Sequence, residues 1–278
     1  MRHVRLLSEA SPYRRAIIIF CQVHAVKTTV KESLNMMKKK GLRILCVLTG
    51  IILLLFACGT LYVNDYYHAD PSAEELLSAD LPNITITAEK EQILFRPEEA
   101  KAGLIFYPGG KIEYTAYTPL MKAFAEKGFF CVLLKMPLNL ALLNINAADT
   151  VFADHPEIEN WYVAGHSLGG VAASLYAEKH ADRLSGLILL ASYSTANLNE
   201  SKLKLLSIYG SEDGILNKFL YEINRKKLPE DVTEVIIPGG CHAYFGAYGE
   251  QKGDGTPAIS REEQIRITAE EAEAMIKK

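Results

Sequence analysis

Three residues that close three separate apolar runs could together cleave or transfer an acyl group. Ser167 lies in Gly165-His166-Ser167-Leu168-Gly169, a G-x-S-x-G pattern between an apolar run and a stretch of helix formers. A serine on a sharp strand-to-helix turn presents its hydroxyl to solvent, and flanking glycines avoid collisions with the neighbouring strand and helix. The hydroxyl is a poor nucleophile until a base takes its proton, and the base must be held in one tautomer by a carboxylate. His242 ends Gly239-Gly240-Cys241-His242, and Asp213 stands in Ser211-Glu212-Asp213-Gly214. Asp213 is preferred to Glu212 because it sits later in the turn and Asp213-Gly214 gives a tight bend. A developing oxyanion needs N–H donors, and Leu168, directly after the serine where the chain turns toward the helix, offers one. The second is expected from Gly110 or Lys111 in Tyr107-Pro108-Gly109-Gly110-Lys111, where Gly109 and Gly110 let the backbone approach a substrate. No G-x-x-x-x-G-K-[ST] is present, so this loop does not read as a phosphate cradle. His166 reads as a packing residue at the turn.

These residues need a scaffold that brings strand ends to one edge. Residues 84–88 and 92–95 read as a hairpin, followed by short apolar strands at 103–107, 129–135, 161–164, 186–191, 204–209 and 232–237. Helical patterns occupy 117–127, closed by Gly128, and then 139–155, 171–179 and 260–277. Ser260 with Glu263 three residues on reads as a capping box. Strands alternating with helices imply a mostly parallel sheet covered on both faces, with its site outside the carboxyl ends of the strands.

Charge divides the chain. Residues 1–43 carry ten Lys/Arg and two Asp/Glu, about +8; of the whole chain's 30 and 33, this leaves 20 and 31, about −11. An acidic body without a basic stripe argues against nucleic acid as a partner. Ile44 to Val63 contains no charge and is long enough to cross a bilayer, with Lys38, Lys39, Lys40 and Arg43 before it and Asp65 and Asp70 after it. The positive-inside rule then puts the body on the extracytoplasmic side. A retained signal anchor is the preferred reading; a cleaved signal peptide, or lipid attachment at Cys58, are the alternatives. Residues 1–43 are expected to be a disordered basic segment, with Met36-Met37-Lys38-Lys39-Lys40 resembling the start of a targeting segment. Residues 64–82 are expected to be a stalk, and 83–278 the folded body. The five cysteines show no disulfide framework and no metal-ligand spacing, and no cofactor is expected.

Taken together, Y-P-G-G-K at 107–111, G-H-S-L-G-G at 165–170, Y-G-S-E-D-G at 209–214 and G-G-C-H at 239–242 resemble the α/β-hydrolase superfamily. The resemblance lies close to its compact dienelactone-hydrolase-like branch and covers about residues 80–278. The segment 246–255 is similar to membrane-anchored bacterial members. The resemblance implies an α/β-hydrolase fold with a mostly parallel central sheet and helices on both faces, and the connection of about a dozen residues between the strands at 186–191 and 204–209, where larger relatives insert a lid, leaves no room for a large lid domain. The resemblance implies Ser167, Asp213 and His242 as the catalytic set. Dienelactone hydrolases of that branch use a cysteine nucleophile where this chain has Ser167, which favours general ester hydrolysis over lactone cleavage. The expected function is therefore hydrolysis of small carboxylic esters through an acyl-enzyme. An acyltransferase using the same residues on a cell-surface acceptor, and a catalytically idle binding module, are the alternatives. The sequence leaves the oligomeric state open.

Overall fold

A computed structural model describes residues 12–277 of the 278-residue chain. Its contacts divide the chain into two compact units that meet between Tyr62 and Val63, and each is described by itself.

The first unit is described through Tyr62 by the helix α1, Pro12–Asn64, whose last two residues lie past the boundary. Pro12 stands at its start, where a missing N–H costs nothing, and neither Gly nor Pro follows before Gly41. Nothing in that stretch breaks a helix. Residues 12–43, expected as a disordered basic segment, are accordingly helical here, while residues 1–11 lie outside the described residues. Lys40–Asn64 is long and apolar enough to cross a membrane.

The second unit is built on an eight-stranded sheet in the order β1-β2-β4-β3-β5-β6-β7-β8. β1 (Ile84–Ala88) and β2 (Gln92–Pro97) form an antiparallel hairpin, and β2 pairs antiparallel with β4 (Phe129–Leu134). From β4 onward the sheet is parallel, through β3 (Ala102–Tyr107), β5 (Trp161–His166), β6 (Gly186–Leu190), β7 (Lys204–Gly210) and β8 (Val232–Ile237). Central strands are buried along their whole length, as expected when helices cover both faces. Alternate residues serve opposite layers: Leu104 and Phe106 join Phe124, Phe129 and Ala269, whereas Ile105 and Tyr107 join Val163, Ala172 and Tyr176. The first layer is covered by α3 (Thr118–Glu126) and α7 (Arg261–Lys277), following the short α2 (Pro71–Leu77) in the chain. The second is covered by α4 (Asp149–Asp154) and α5 (Leu168–Lys179), whose small residues Ala172, Ala173 and Ala177 let the helix lie close on the sheet.

Two further expectations change. Residues 139–155 are not one helix but 3-10 turns at Pro137–Asn139, Ala141–Leu143 and Ile145–Ala148, followed by α4. Leu138 and Asn139 both take positive φ, 55° and 54°, which no helix accommodates, and Leu143 faces solvent while Ala141 and Ala148 are buried. Residues 64–82 are no free stalk. Tyr67 bridges Ile112, the Asp70 carboxylate pairs with Arg261 at 2.6 Å, and Ala73 in α2 is fully buried. The body therefore begins near Val63 rather than at residue 83. A further helix, α6 (Lys218–Asn224), follows β7 and was not anticipated. The connection between β6 and β7 contains no helix, so no lid domain interrupts it.

Ser260 caps α7 through its Oγ, which accepts the Glu263 N–H at 3.1 Å. The Glu263 carboxylate turns to Arg266 instead of returning to Ser260, so only half of the expected capping box forms. The layer beneath α3 rests on Phe124, fully buried edge-on against Phe129. Phe124→Ala should lower the unfolding free energy by about 3–5 kcal/mol. Urea titration followed through Trp161, the sole tryptophan, checks this; a loss under about 1 kcal/mol would mean that the layer closes over the gap.

Candidate active site

The Ser167 position is made by three chain segments in close approach. Ser167 joins β5 to α5 with φ 52° and ψ −123°, a conformation side chains rarely adopt. Its N–H donates to Leu190 O at 2.9 Å, and its carbonyl accepts the Ser192 hydroxyl at 2.7 Å. A Cβ on Gly165 would overlap the Gly169 backbone, and one on Gly169 would overlap the Tyr107 carbonyl. Both glycines are thus required by packing between β3, β5 and α5.

Asp213 and His242 meet after β7 and β8. The imidazole Nδ1–H donates to Asp213 Oδ2 at 2.9 Å, with Oδ1 at 3.1 Å, and both side chains are buried. Asp213 Oδ1 also accepts the N–H groups of Ile215 and Leu216 at 2.9 and 2.7 Å, which fix the carboxylate before it meets the imidazole. Glu212 is exposed and accepts only the Ser211 hydroxyl. With Nδ1 protonated, His242 Nε2 keeps a lone pair; it is buried and makes no hydrogen bond. Ser167 and His242 line the same cleft, of about 180 Å³, with Leu168, Val171, Tyr193 and Leu216. The Ser167–His242 hydrogen bond is not formed here, and such bonds commonly tighten only around a substrate.

The loop Tyr107–Lys111 separates the expected donors. The Lys111 N–H donates to Asn139 O at 2.8 Å, and its ammonium pairs with Asp65, so Lys111 supplies no oxyanion donor. The Gly109 N–H donates to the Tyr117 hydroxyl at 3.0 Å, and a Cβ on Gly109 would lie 2.7 Å from that oxygen. Gly109 is therefore small for the interior and not for the substrate. The Gly110 N–H donates to no acceptor among the described residues, and Gly110 packs so closely on Leu168 that a Cβ would come within 2.8 Å of its side chain. Leu168, first in α5, has no intrahelical acceptor for its N–H. Gly110 and Leu168 are the pair of donors the geometry leaves available.

Behind the cleft lies a polar chain that sequence reasoning missed in part. Gly109 N–H donates to Tyr117 Oη, Tyr117 donates to His166 Nδ1 at 2.8 Å, and His166 Nε2–H donates to His242 O at 3.1 Å. Burial holds the His166 pKa well below its ordinary value, with the neighbouring His242 adding to the effect, so the ring is neutral and can accept at one nitrogen while donating at the other. His166 does pack at the turn, as its position suggested, and it also ties the loop Tyr107–Lys111 to the histidine loop. Gln264, fully buried on α7, makes a reciprocal pair with Cys241: Nε2 donates to Cys241 O at 2.8 Å, and Oε1 accepts its N–H at 2.9 Å. A glutamine among Ile265, Thr268, Ala269 and Ala272 on the buried stripe was the one available signal for it.

Among the described residues no three His, Cys, Asp or Glu side chains converge as a metal site. A wider groove of about 590 Å³ between α2, α3 and α7 is not lined by Gly110, Ser167, Leu168, Asp213 or His242.

The comparisons agree with this architecture. No curated protein matches the sequence. Solved structures similar in fold include dienelactone hydrolase from Anabaena variabilis, at 15% identity and TM-score 0.53, covering 70% of this chain and 98% of that one. Est1E from Butyrivibrio proteoclasticus matches at 14% identity and TM-score 0.51, covering 71% and 100%. Carboxyl esterase 2 from Tuber melanosporum matches at 11% identity and TM-score 0.53, covering 76% and 91%. At these identities the likeness is one of fold. The alpha/beta hydrolase family model matches residues 103–266, more than half of the chain and all the segments that meet at the cleft, and the chain belongs to the alpha/beta hydrolase family.

Proposed function

We propose that the chain is a membrane-anchored serine hydrolase that cleaves small carboxylic esters through an acyl-enzyme. The observation that carries this reading is the buried Asp213–His242 pair, whose Nε2 has no hydrogen-bond partner and whose histidine lines one cleft with Ser167. In this reading Nε2 takes the Ser167 proton as Oγ attacks the ester carbonyl. The tetrahedral oxyanion is held by the N–H groups of Leu168 and Gly110, and the α5 dipole favours the negative charge. His242 then returns the proton to the leaving alcohol, and the acyl group stays on Ser167 until water, activated by the same histidine, releases it. Asp213 holds the ring in the Nδ1–H tautomer throughout and stabilises the imidazolium. Relatives in fold that are named as esterases or dienelactone hydrolase favour esters as the substrate class.

A fluorophosphonate probe should label the wild type and fail to label Ser167→Ala, with the fold retained by circular dichroism. Asp213→Asn should lower kcat by about 10⁴, whereas Glu212→Gln should be mild. Labelling that survives Ser167→Ala, or a damaging Glu212→Gln beside a mild Asp213→Asn, sinks the assignments.

The cleft is small and no lid walls it, so little acyl chain can be buried. Each buried methylene would contribute about 0.8 kcal/mol to selectivity. Short p-nitrophenyl esters such as acetate or butyrate should therefore be cut faster than palmitate. The comparison is best made on a body beginning at Val63, so that α1 does not sequester the long ester; a preference for palmitate there would require a deeper acyl pocket.

The anchoring half of the proposal is supported by the apolar stretch Lys40–Asn64 and the basic residues before it. Protease added to spheroplasts should digest the body and spare the basic head. Full-length protein recovered in the soluble fraction, or a body shielded from the protease, contradicts this topology.

A further inference from the structure

We propose that Asp254 is a positioning residue for the reaction, a single carboxylate that sets the histidine loop against the acid loop. The inference rests on the hydrolase reading above and adds to it a residue outside the three that carry the chemistry. Asp254 Oδ1 accepts N–H groups from His242 at 3.1 Å, Gly214 at 3.2 Å and Gly255 at 2.9 Å. Its Oδ2 accepts the Ala243 N–H at 2.8 Å. Gly214 directly follows Asp213, and His242 carries the base, so one side chain holds the backbone on both sides of the Asp213–His242 hydrogen bond.

The surrounding segment is shaped for this. Gly253-Asp254-Gly255 is wedged against the acid loop: a Cβ on Gly214 would lie 2.5 Å from Gly253 O, and one on Gly255 would overlap the Glu212 carbonyl. Gly253 itself turns with φ 93°. The wedge is held from behind, because Asp254 N–H donates to Gln251 O at 3.0 Å, and Lys252 N–H donates to Tyr67 Oη at 3.3 Å. Burial opposes ionisation of Asp254, but the N–H groups of Ala243, Gly214, His242 and Gly255 outweigh it and keep the carboxyl below its usual range. The group is thus charged, and its bonds to the four N–H groups are of the stronger, charge-assisted kind.

The other backbone ties between these loops lie nearer the strand ends, where Glu212 N–H donates to Gly240 O, Ser211 N–H to Ile237 O and Gly239 N–H to the Ser211 hydroxyl at 2.8 Å. Asp254 reaches one step further on each side, to the residues that orient carboxylate and imidazole. The imidazole is a long ring on a short loop, and a small shift of its backbone moves Nε2 relative to Ser167. Misplacement of a catalytic group by about 1 Å can cost about 100-fold in rate. Besides the Cys241 thiol next to it, Asp254 engages main-chain N–H groups, so it acts on the Asp213–His242 pair through the backbone.

The test uses the full chain in detergent with p-nitrophenyl acetate, and active serines counted by fluorophosphonate titration. Asp254→Ala should lower kcat per titrated serine by about 100-fold with KM little changed. Asp254→Asn, which keeps one acceptor oxygen, should fall less but in the same parameter. The downfield proton resonance of the His242 Nδ1–H, sharp in the wild type, should shift or broaden in both variants. A purely structural role would lower yield or melting temperature and leave kcat per titrated serine and this resonance unchanged, and that result overturns the proposal. If Asp254→Ala does not fold, Asp254→Asn decides by the same two readouts. A wild type that is never labelled at Ser167 would instead refute the hydrolase reading, while the resonance would still decide the role of Asp254.

Discussion

The body depends on one steric constraint: β3, β5 and α5 approach so closely at Gly165 and Gly169 that the chain between them can pass only by bending sharply at Ser167. A residue at φ 52° and ψ −123° costs on the order of 1–3 kcal/mol and persists only where its surroundings over-determine it. Here they do. The Ser167 N–H and carbonyl are both engaged, by Leu190 O and the Ser192 hydroxyl, and the glycines leave no room for an alternative path. The consequence is a hydroxyl at the N-terminus of α5, at the carboxyl edge of a parallel sheet, where unsatisfied N–H groups already point.

The remaining groups are held by hydrogen bonds from all sides to the chain that carries them. The backbone of His242 is gripped at its carbonyl by His166 and at its N–H by Asp254, while Gln264 grips the residue before it. Its ring is gripped by Asp213. Tyr117 engages the Gly109 N–H and so leaves Gly110 as the member of that loop that faces Leu168. Each of these contacts lies in a buried or partly buried setting, where an unpaired polar group would cost about 1–3 kcal/mol. The neutral state of His166 is part of this economy, since a charged imidazolium would have two donors and no acceptor for the Tyr117 proton.

Much of this was legible in the sequence, for reasons that differ by residue. Ser167, Asp213 and His242 each follow an apolar run at a position where a turn residue is needed, so local pattern singled them out, and the structure pairs Asp213 with His242 and brings His242 to one cleft with Ser167. The strands were legible because burial on both faces leaves uninterrupted apolar runs. Residues 139–155 misled because their leucines recur at roughly helical spacing, while the positive φ at Leu138 and Asn139 is a demand of the tertiary structure. Residues 64–82 looked like a linker because their prolines and acidic residues resemble one, yet Ala73 and the Asp70–Arg261 pair dock them on the body. Choosing between Gly110 and Lys111 required knowing where Asn139 lies. Tyr117 and Gln264 carry no motif, and within the segment 246–255 nothing sets Asp254 apart, since their partners are brought near by folding.

The central claim is that Ser167 becomes acylated because the Asp213–His242 pair withdraws its proton. The most direct measurement is rapid acid quench of the protein during turnover of p-nitrophenyl acetate, followed by peptide mass spectrometry. The account predicts a single acetyl group on the peptide containing Ser167, accumulating within the first turnover and strongly reduced in His242→Ala. Steady turnover with no acetylated peptide, or acetylation at another residue that persists without His242, would contradict it.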